Sequence, residues 1–111
     1  MRNTIDLMIA VPDTASIAAA RWLENRMGRR FGPSTGTNLI GALSLAAQMQ
    51  AQGAPGSIAT LACDAGDRYA DTIYDDAWLG AKQLDLGDWP QRIRQLTGRL
   101  PFGHDLRRCV R

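Results

Sequence analysis

The 111-residue chain has room for one domain, and its 45% hydrophobic and 22% charged residues are those of a soluble globular segment. No apolar run approaches the ~18 residues of a membrane span, and the first residues set Asp6 inside their only apolar stretch without a small-residue cleavage pattern, so the expected location is the cytoplasm. The net charge of +2 hides an asymmetry: residues 1–87 carry seven basic and nine acidic side chains, whereas 88–111 carry six arginines against Asp88 and Asp105. Those arginines are not interleaved with stacking aromatics, which argues against a nucleic-acid partner.

From Thr4 to Val11, Ile5, Leu7, Ile9 and Val11 alternate with Asp6, Met8 and Ala10, the pattern of a half-buried strand that Pro12 ends. Asp13 or Thr14 can then cap a helix whose Ile17, Ala20, Leu23 and Met27 recur on one side, with Gly28 as its stop. Arg29 to Phe31 reads as a short extended entry into the loop Gly32-Pro33-Ser34-Thr35-Gly36-Thr37-Asn38. The loop opens a second helix, apolar or small at nearly every position from Leu39 to Ala47 and therefore expected to be surrounded by other layers. Gln48, Gln50 and Gln52 bring it out into water, and Gly53-Ala54-Pro55-Gly56 ends it.

Ser57 to Cys63 is apolar on both faces, as in an interior parallel strand. Asp67 to Leu79 reads as one or two helical turns and then a short helix, with Tyr69, Ile73, Ala77 and Trp78 as packing residues. Asp88 begins a last helix with Pro90 in its first turn and Trp89, Ile93, Leu96 and Leu100 along one side, soon interrupted by Gly98, Pro101 and Gly103. The fold class expected from this order is α/β, a partial three-layer sheet of mostly parallel strands flanked by helices. The domain reading is 1–87 as one unit and 88–111 as a basic tail.

Two junctions carry the chemistry. Where the glycine loop meets the second helix, Ser34, Thr35, Gly36 and the first backbone N–H groups lie at the positive end of the helix dipole, a place that favours anions. It lacks the Gly-Lys-Ser/Thr of a nucleotide loop and the Gly-x-Gly-x-x-Gly of a dinucleotide fold, and on spacing alone capping with tight packing is the favoured reading. Asp64-Ala65-Gly66 sits where a strand hands over to a helix, which in an open α/β sheet faces the ligand crevice. Arg68 with Asp67, Asp71 and Asp75 also suits a surface ion-pair cluster. Cys63 and Cys109 lack metal-ligand spacing, His104 has no useful partner nearby, and no metal site or catalytic residue is assigned.

Read together, GPSTGTN, LIGALSLAAQM, SIATLACDAGDRY and YDDAWL resemble the C-terminal portion of the cysteine synthase and cystathionine β-synthase family, fold-type II pyridoxal-phosphate enzymes that include cysteine desulfhydrases. The resemblance runs from about Thr4 to Leu86. It implies a homodimer, a cofactor held at strand ends, and β-elimination or β-replacement on cysteine or an O-acylserine. It also implies cofactor contacts at Ser34, Thr35, Gly36, Asp64, Ala65 and Gly66. In the family a lysine forms the Schiff base and a separate glycine-threonine loop binds the phosphate. Here the sole lysine, Lys82, matches no catalytic position, and Ala65 stands where the family has a serine whose hydroxyl bonds the pyridine nitrogen. The resulting expectation is a fragment inactive alone that needs a complementary enzyme half or a second copy. The alternative is a stand-alone α/β assembly or binding domain derived from that family.

Overall fold

A computed structural model of the chain describes residues 9–62 and 65–99. Four α-helices occur there: α1 (Asp13–Met27), α2 (Pro33–Gln52), α3 (Asp76–Ala81) and α4 (Trp89–Arg99), with a 3-10 turn at Asp67–Tyr69 between α2 and α3.

Helix α1 begins where Pro12, in an extended conformation (φ −63°, ψ 148°), cannot continue a helix backwards. Asp13 therefore stands in the first turn, where its charge suits the dipole, and no side chain caps the N-terminus. The helix stops at Gly28, whose φ of 73° is the left-handed conformation only glycine adopts without strain; its N–H donates to Glu24 O at 2.8 Å. Every residue from Ala15 to Ala20 is buried. Such a run spans more than one face, so α1, rather than α2, is the surrounded helix. Small alanine side chains let neighbours approach it from several directions.

One core cluster joins Ala15, Ala18, Ala19 and Leu23 of α1 to Leu39, Ile40 and Leu43 of α2, together with Phe31 and Ile93 of α4. A second joins Ile17 and Ala20 to Ile73 and Leu79, with Tyr74 and Trp78 packed against it. Ile93 is fully buried, a burial worth about 1.5–3 kcal/mol. Trp89 and Leu96 flank it against the first cluster, as their spacing predicts, and α4 continues through Gly98 without interruption.

Helix α2 starts with Pro33 in its first turn and ends at Gly53 (φ 66°). Its buried residues, Thr35, Gly36, Leu39, Ile40 and Leu43, occupy one side only, and Gly41, Ala42 and Leu45 are part-exposed on the other. Gln48, Gln50 and Gln52 are exposed, as expected.

The expected α/β architecture is overturned. Among the described residues the chain is helical, with no strand and no sheet; the β-type pairing described is one isolated antiparallel bridge between Phe31 and Ala65. Of the expected strand Thr4–Val11, residues 4–8 lie outside the described residues and 9–11 are irregular. Ser57 to Ala62 is irregular too, Cys63 lies outside the described residues, and Leu61 is 74% exposed. An apolar run becomes a strand only when neighbouring main chain completes its hydrogen bonds. Among the described residues no main-chain group of Ser57–Ala62 meets another main-chain group.

Candidate functional site

The two segments singled out in the sequence meet at the Phe31–Ala65 bridge, where the Gly66 N–H donates to Arg30 O at 2.8 Å. The approach demands glycine: a Cβ at Gly66 would lie 2.5 Å from both the nitrogen and the oxygen of Phe31. Chain entering α2 is thereby laid directly against the Ala65–Gly66 turn.

The bridge is clamped from a third direction by Tyr74. Its hydroxyl accepts the Phe31 N–H at 3.1 Å and donates to the Phe31 carbonyl at 2.7 Å, with the Ala20 carbonyl at 3.4 Å as a more distant neighbour. Burial raises the Tyr74 pKa, and the bond to the Phe31 backbone opposes that rise. Two guanidinium groups stand over the rings here, Arg29 over Phe31 at 4.9 Å and Arg30 over Tyr74 at 5.2 Å, and Arg30 Nε also donates to Glu24 at 2.7 Å. No local pattern marks Tyr74 for this task; it is an aromatic residue in a turn, 43 positions from its partner.

The expected cofactor contacts divide. Ser34 is exposed at the start of α2, and Ala65 is exposed on the bridge. Thr35 and Gly36 are buried. Gly36 faces α1 so closely that an added Cβ would collide with the Ser16 carbonyl, which identifies it as a helix-packing glycine. Ser16 Oγ and Thr37 Oγ1 lie 2.7 Å apart across the same contact. Gly66 is buried against Phe31 and Asp64 lies outside the described residues. Arg68 places its guanidinium 5.0 Å from the Tyr69 ring and donates to the Tyr69 hydroxyl at 2.8 Å.

Beside this wall a concavity of about 380 Å³ opens on the outer side of α2. Gly41, Ala42 and Leu45 line it from the helix; Ile9 and Val11 line it from the chain before α1, and Ile58 to Thr60 from the irregular segment. Thr37 and Asn38 connect it to the start of α2, and Asn38 Nδ2 donates to Leu61 O at 3.1 Å. None of Ser34, Thr35, Gly36, Ala65 or Gly66 lines it.

Among the described residues no group of three His, Cys, Asp or Glu is placed to hold a metal ion, and no helix is long and apolar enough to cross a membrane.

The chain is 59% identical over 83 residues to an L-cysteine desulfhydrase of Mycobacterium tuberculosis, which covers 75% of this chain and 23% of that protein. It is 38% identical over 82 residues to a protein of Caenorhabditis elegans described as pyridoxal-phosphate dependent (70% and 19%), and 32% identical over 81 residues to cysteine synthase 2 of Schizosaccharomyces pombe (72% and 20%). The family resemblance read from the motifs is therefore borne out, over less than a quarter of the length of each of these relatives. No family model matches, and no solved structure matches.

The described donors do not fit pyridoxal phosphate as a self-sufficient site. Neither segment contains a lysine to hold it covalently, and Lys82 stands exposed at the C-terminal end of α3. Ala65 is exposed but offers only a methyl group, which cannot hydrogen-bond.

Proposed function

We propose, for a chain related to one portion of the pyridoxal-phosphate-dependent cysteine synthase and L-cysteine desulfhydrase family, that it forms one wall of the cofactor site of a cytoplasmic cysteine-metabolising enzyme. The reaction class is β-elimination or β-replacement on cysteine or an O-acylserine. Pyridoxal phosphate supplies the electron sink for such chemistry when bound. The covalent lysine and the phosphate loop come from polypeptide other than this chain, and the chain alone is inactive.

The observation that carries this reading is the Phe31–Ala65 bridge. It sets the exposed Ala65 beside the chain that leads to the exposed Ser34, so one surface carries a hydroxyl and the positive end of α2. Tyr74 and Gly66 keep the two segments in register. With a methyl group at Ala65, this surface leaves the ring nitrogen without a side-chain partner from that position.

The test mixes purified chain with pyridoxal phosphate, alone and co-expressed with the portion of the Mycobacterium tuberculosis desulfhydrase that the match leaves out. The chain alone is expected to give no visible-edge absorbance of lysine-bound cofactor, and borohydride treatment is expected to leave Lys82 unmodified by mass spectrometry. The co-expressed pair is expected to show that absorbance and to release sulfide from cysteine. An adduct on Lys82 accompanied by cysteine turnover in the chain alone would overturn the proposal.

A further inference from the structure

The peptide unit between Arg30 and Phe31 is gripped along both edges. Its carbonyl, Arg30 O, accepts the Gly66 N–H at 2.8 Å, and its N–H, on Phe31, donates to the Tyr74 hydroxyl at 3.1 Å. In a planar trans peptide these two groups point in opposite directions, so a hold on one edge aims the other. The hydroxyl also donates to Phe31 O at 2.7 Å, in the next peptide unit, and bonds linked in this way polarise one another.

The hydroxyl is itself held in place. Tyr74 packs against the second core cluster while Phe31 belongs to the first, so the bonds between them also tie the two clusters together. The Arg30 guanidinium lies 5.2 Å from the centre of the Tyr74 ring, and Glu24 anchors that guanidinium at 2.7 Å. The turn on the other edge has less of its own to hold it. Between Ala65 and Thr72 only Gly66 is buried and only Tyr69 packs against a core cluster, so the direction of the Arg30 carbonyl decides where Ala65 stands.

We infer that Tyr74 is the positioning residue of the wall: its hydroxyl aims the Arg30 carbonyl at Gly66 and so fixes Ala65 against the chain that leads to Ser34. The inference rests on the proposed function in treating that surface as part of an enzyme site, and the aiming itself is a property of this chain alone. A junction that opens when the hydroxyl is lost lowers the competent fraction of the site. Substrate binding weakens in proportion, and turnover of the filled site is spared.

The experiment measures amide exchange on the full 111-residue chain, unaltered and as Tyr74→Phe and Ile93→Val, with circular dichroism to verify the helices. Ile93→Val leaves a small void in the core without touching the junction, and so gauges general destabilisation. The Gly66 N–H is expected to exchange at least about tenfold faster in Tyr74→Phe and within about twofold of the unaltered rate in Ile93→Val, as a local opening requires. In the unaltered chain the Phe31 and Gly66 amides are expected to share one protection factor within about fivefold, because one peptide unit carries both bonds; this reading does not depend on the variant folding. Each chain is then co-expressed with the remaining portion of the Mycobacterium tuberculosis desulfhydrase and assayed for sulfide release from cysteine. Tyr74→Phe is expected to raise KM at least about threefold with kcat within about twofold, and Ile93→Val to leave KM unchanged.

Unchanged exchange at Gly66 in Tyr74→Phe would overturn the inference, as would equal acceleration in both variants, which marks general loosening. Unrelated protection of the Phe31 and Gly66 amides would overturn it too, and so would a fall in kcat with KM unchanged. The two readings fail separately. A pair without lysine-bound cofactor sinks the proposed function and leaves the exchange rates to decide the role of Tyr74, whereas an active pair indifferent to Tyr74→Phe sinks the positioning role alone.

Discussion

The Tyr74 hydroxyl holds both main-chain groups of Phe31, accepting its N–H at 3.1 Å and donating to its carbonyl at 2.7 Å. One side chain thus closes the junction between the α1–α2 connection and the Ala65–Gly66 turn. Phe31 is 1% exposed, so neither group has ready access to water if the hydroxyl is removed.

Tyr74→Phe keeps the ring and removes the clamp. Leaving buried main-chain groups unpaired costs about 1–3 kcal/mol, and urea unfolding of this variant is expected to show a loss in that range with an unchanged slope. A loss below about 0.3 kcal/mol would mean that water replaces the hydroxyl fully.

The same tyrosine sets a pH limit. Burial raises its folded-state pKa above the ordinary 10.0, so the folded protein retains its proton more tightly than the unfolded chain does. Its contribution is fully present below about pH 10 and is lost as pH rises from there through the folded-state value. Denaturation at pH 8, 10 and 11 is expected to show the difference between the native chain and Tyr74→Phe narrowing above pH 10. A constant difference across that range would contradict the assignment.

Two glycines of α2 should respond oppositely. At Gly36 a methyl group would strike the Ser16 carbonyl, and both contacting elements are helical backbone that cannot yield locally. Gly36→Ala is expected to destabilise by about 1–3 kcal/mol, the usual range for overpacking. At Gly41 nothing lies within 4 Å of the added carbon, so Gly41→Ala is expected to stabilise by about 0.5–1 kcal/mol through helix propensity. Thermal melts of the pair check both signs at once.

Arg21 and Asp76 form an ion pair at 2.6 Å whose two members should not be equivalent. Asp76 is 88% exposed, and such pairs contribute about 0–1 kcal/mol, so Asp76→Ala is expected to be nearly neutral. Arg21 Nε also donates to Ile73 O at 2.8 Å, beside the second core cluster. Arg21→Ala removes that bond as well and is expected to cost about 1–2 kcal/mol more than Asp76→Ala by chemical denaturation.

Local signals were legible where local chemistry decides. Pro12 and Gly28 bound α1, and Gly53 ends α2; the cap that Asp75 gives α3, accepting the Ala77 N–H at 3.0 Å, was not read, because Asp75 was assigned to an ion-pair cluster with Arg68. The spacing of Trp89, Ile93 and Leu96 marked the buried side of α4. What failed was non-local. Apolar residues at Ser57–Cys63 suggested a strand, but strand formation depends on a neighbour that local pattern cannot supply. The apolar richness of Leu39–Ala47 suggested a surrounded helix, whereas small side chains made α1 the helix that others approach closely.

The candidate site was legible as two segments and illegible as a joint. Gly36 and Gly66 stood out as glycines of a ligand loop; their close neighbours are Ser16 on α1 and the main chain of Phe31. Ser34 and Ala65 remain the exposed positions of the wall, and Asp64 lies outside the described residues. Tyr74 opens the YDDAWL motif, but its contact with Phe31 carried no signal, because the groups it binds come from a part of the chain 43 residues away.

That separation also orders assembly. Five residues connect α1 to α2, so these helices can meet early and at small entropic expense, whereas the Tyr74 tether must close a span of 43 residues. The difference in closure free energy is about 2 kcal/mol. The helical pair therefore serves as the template, and the tyrosine acts as a latch thrown late. Weakening that latch should hasten unfolding much more than it slows folding.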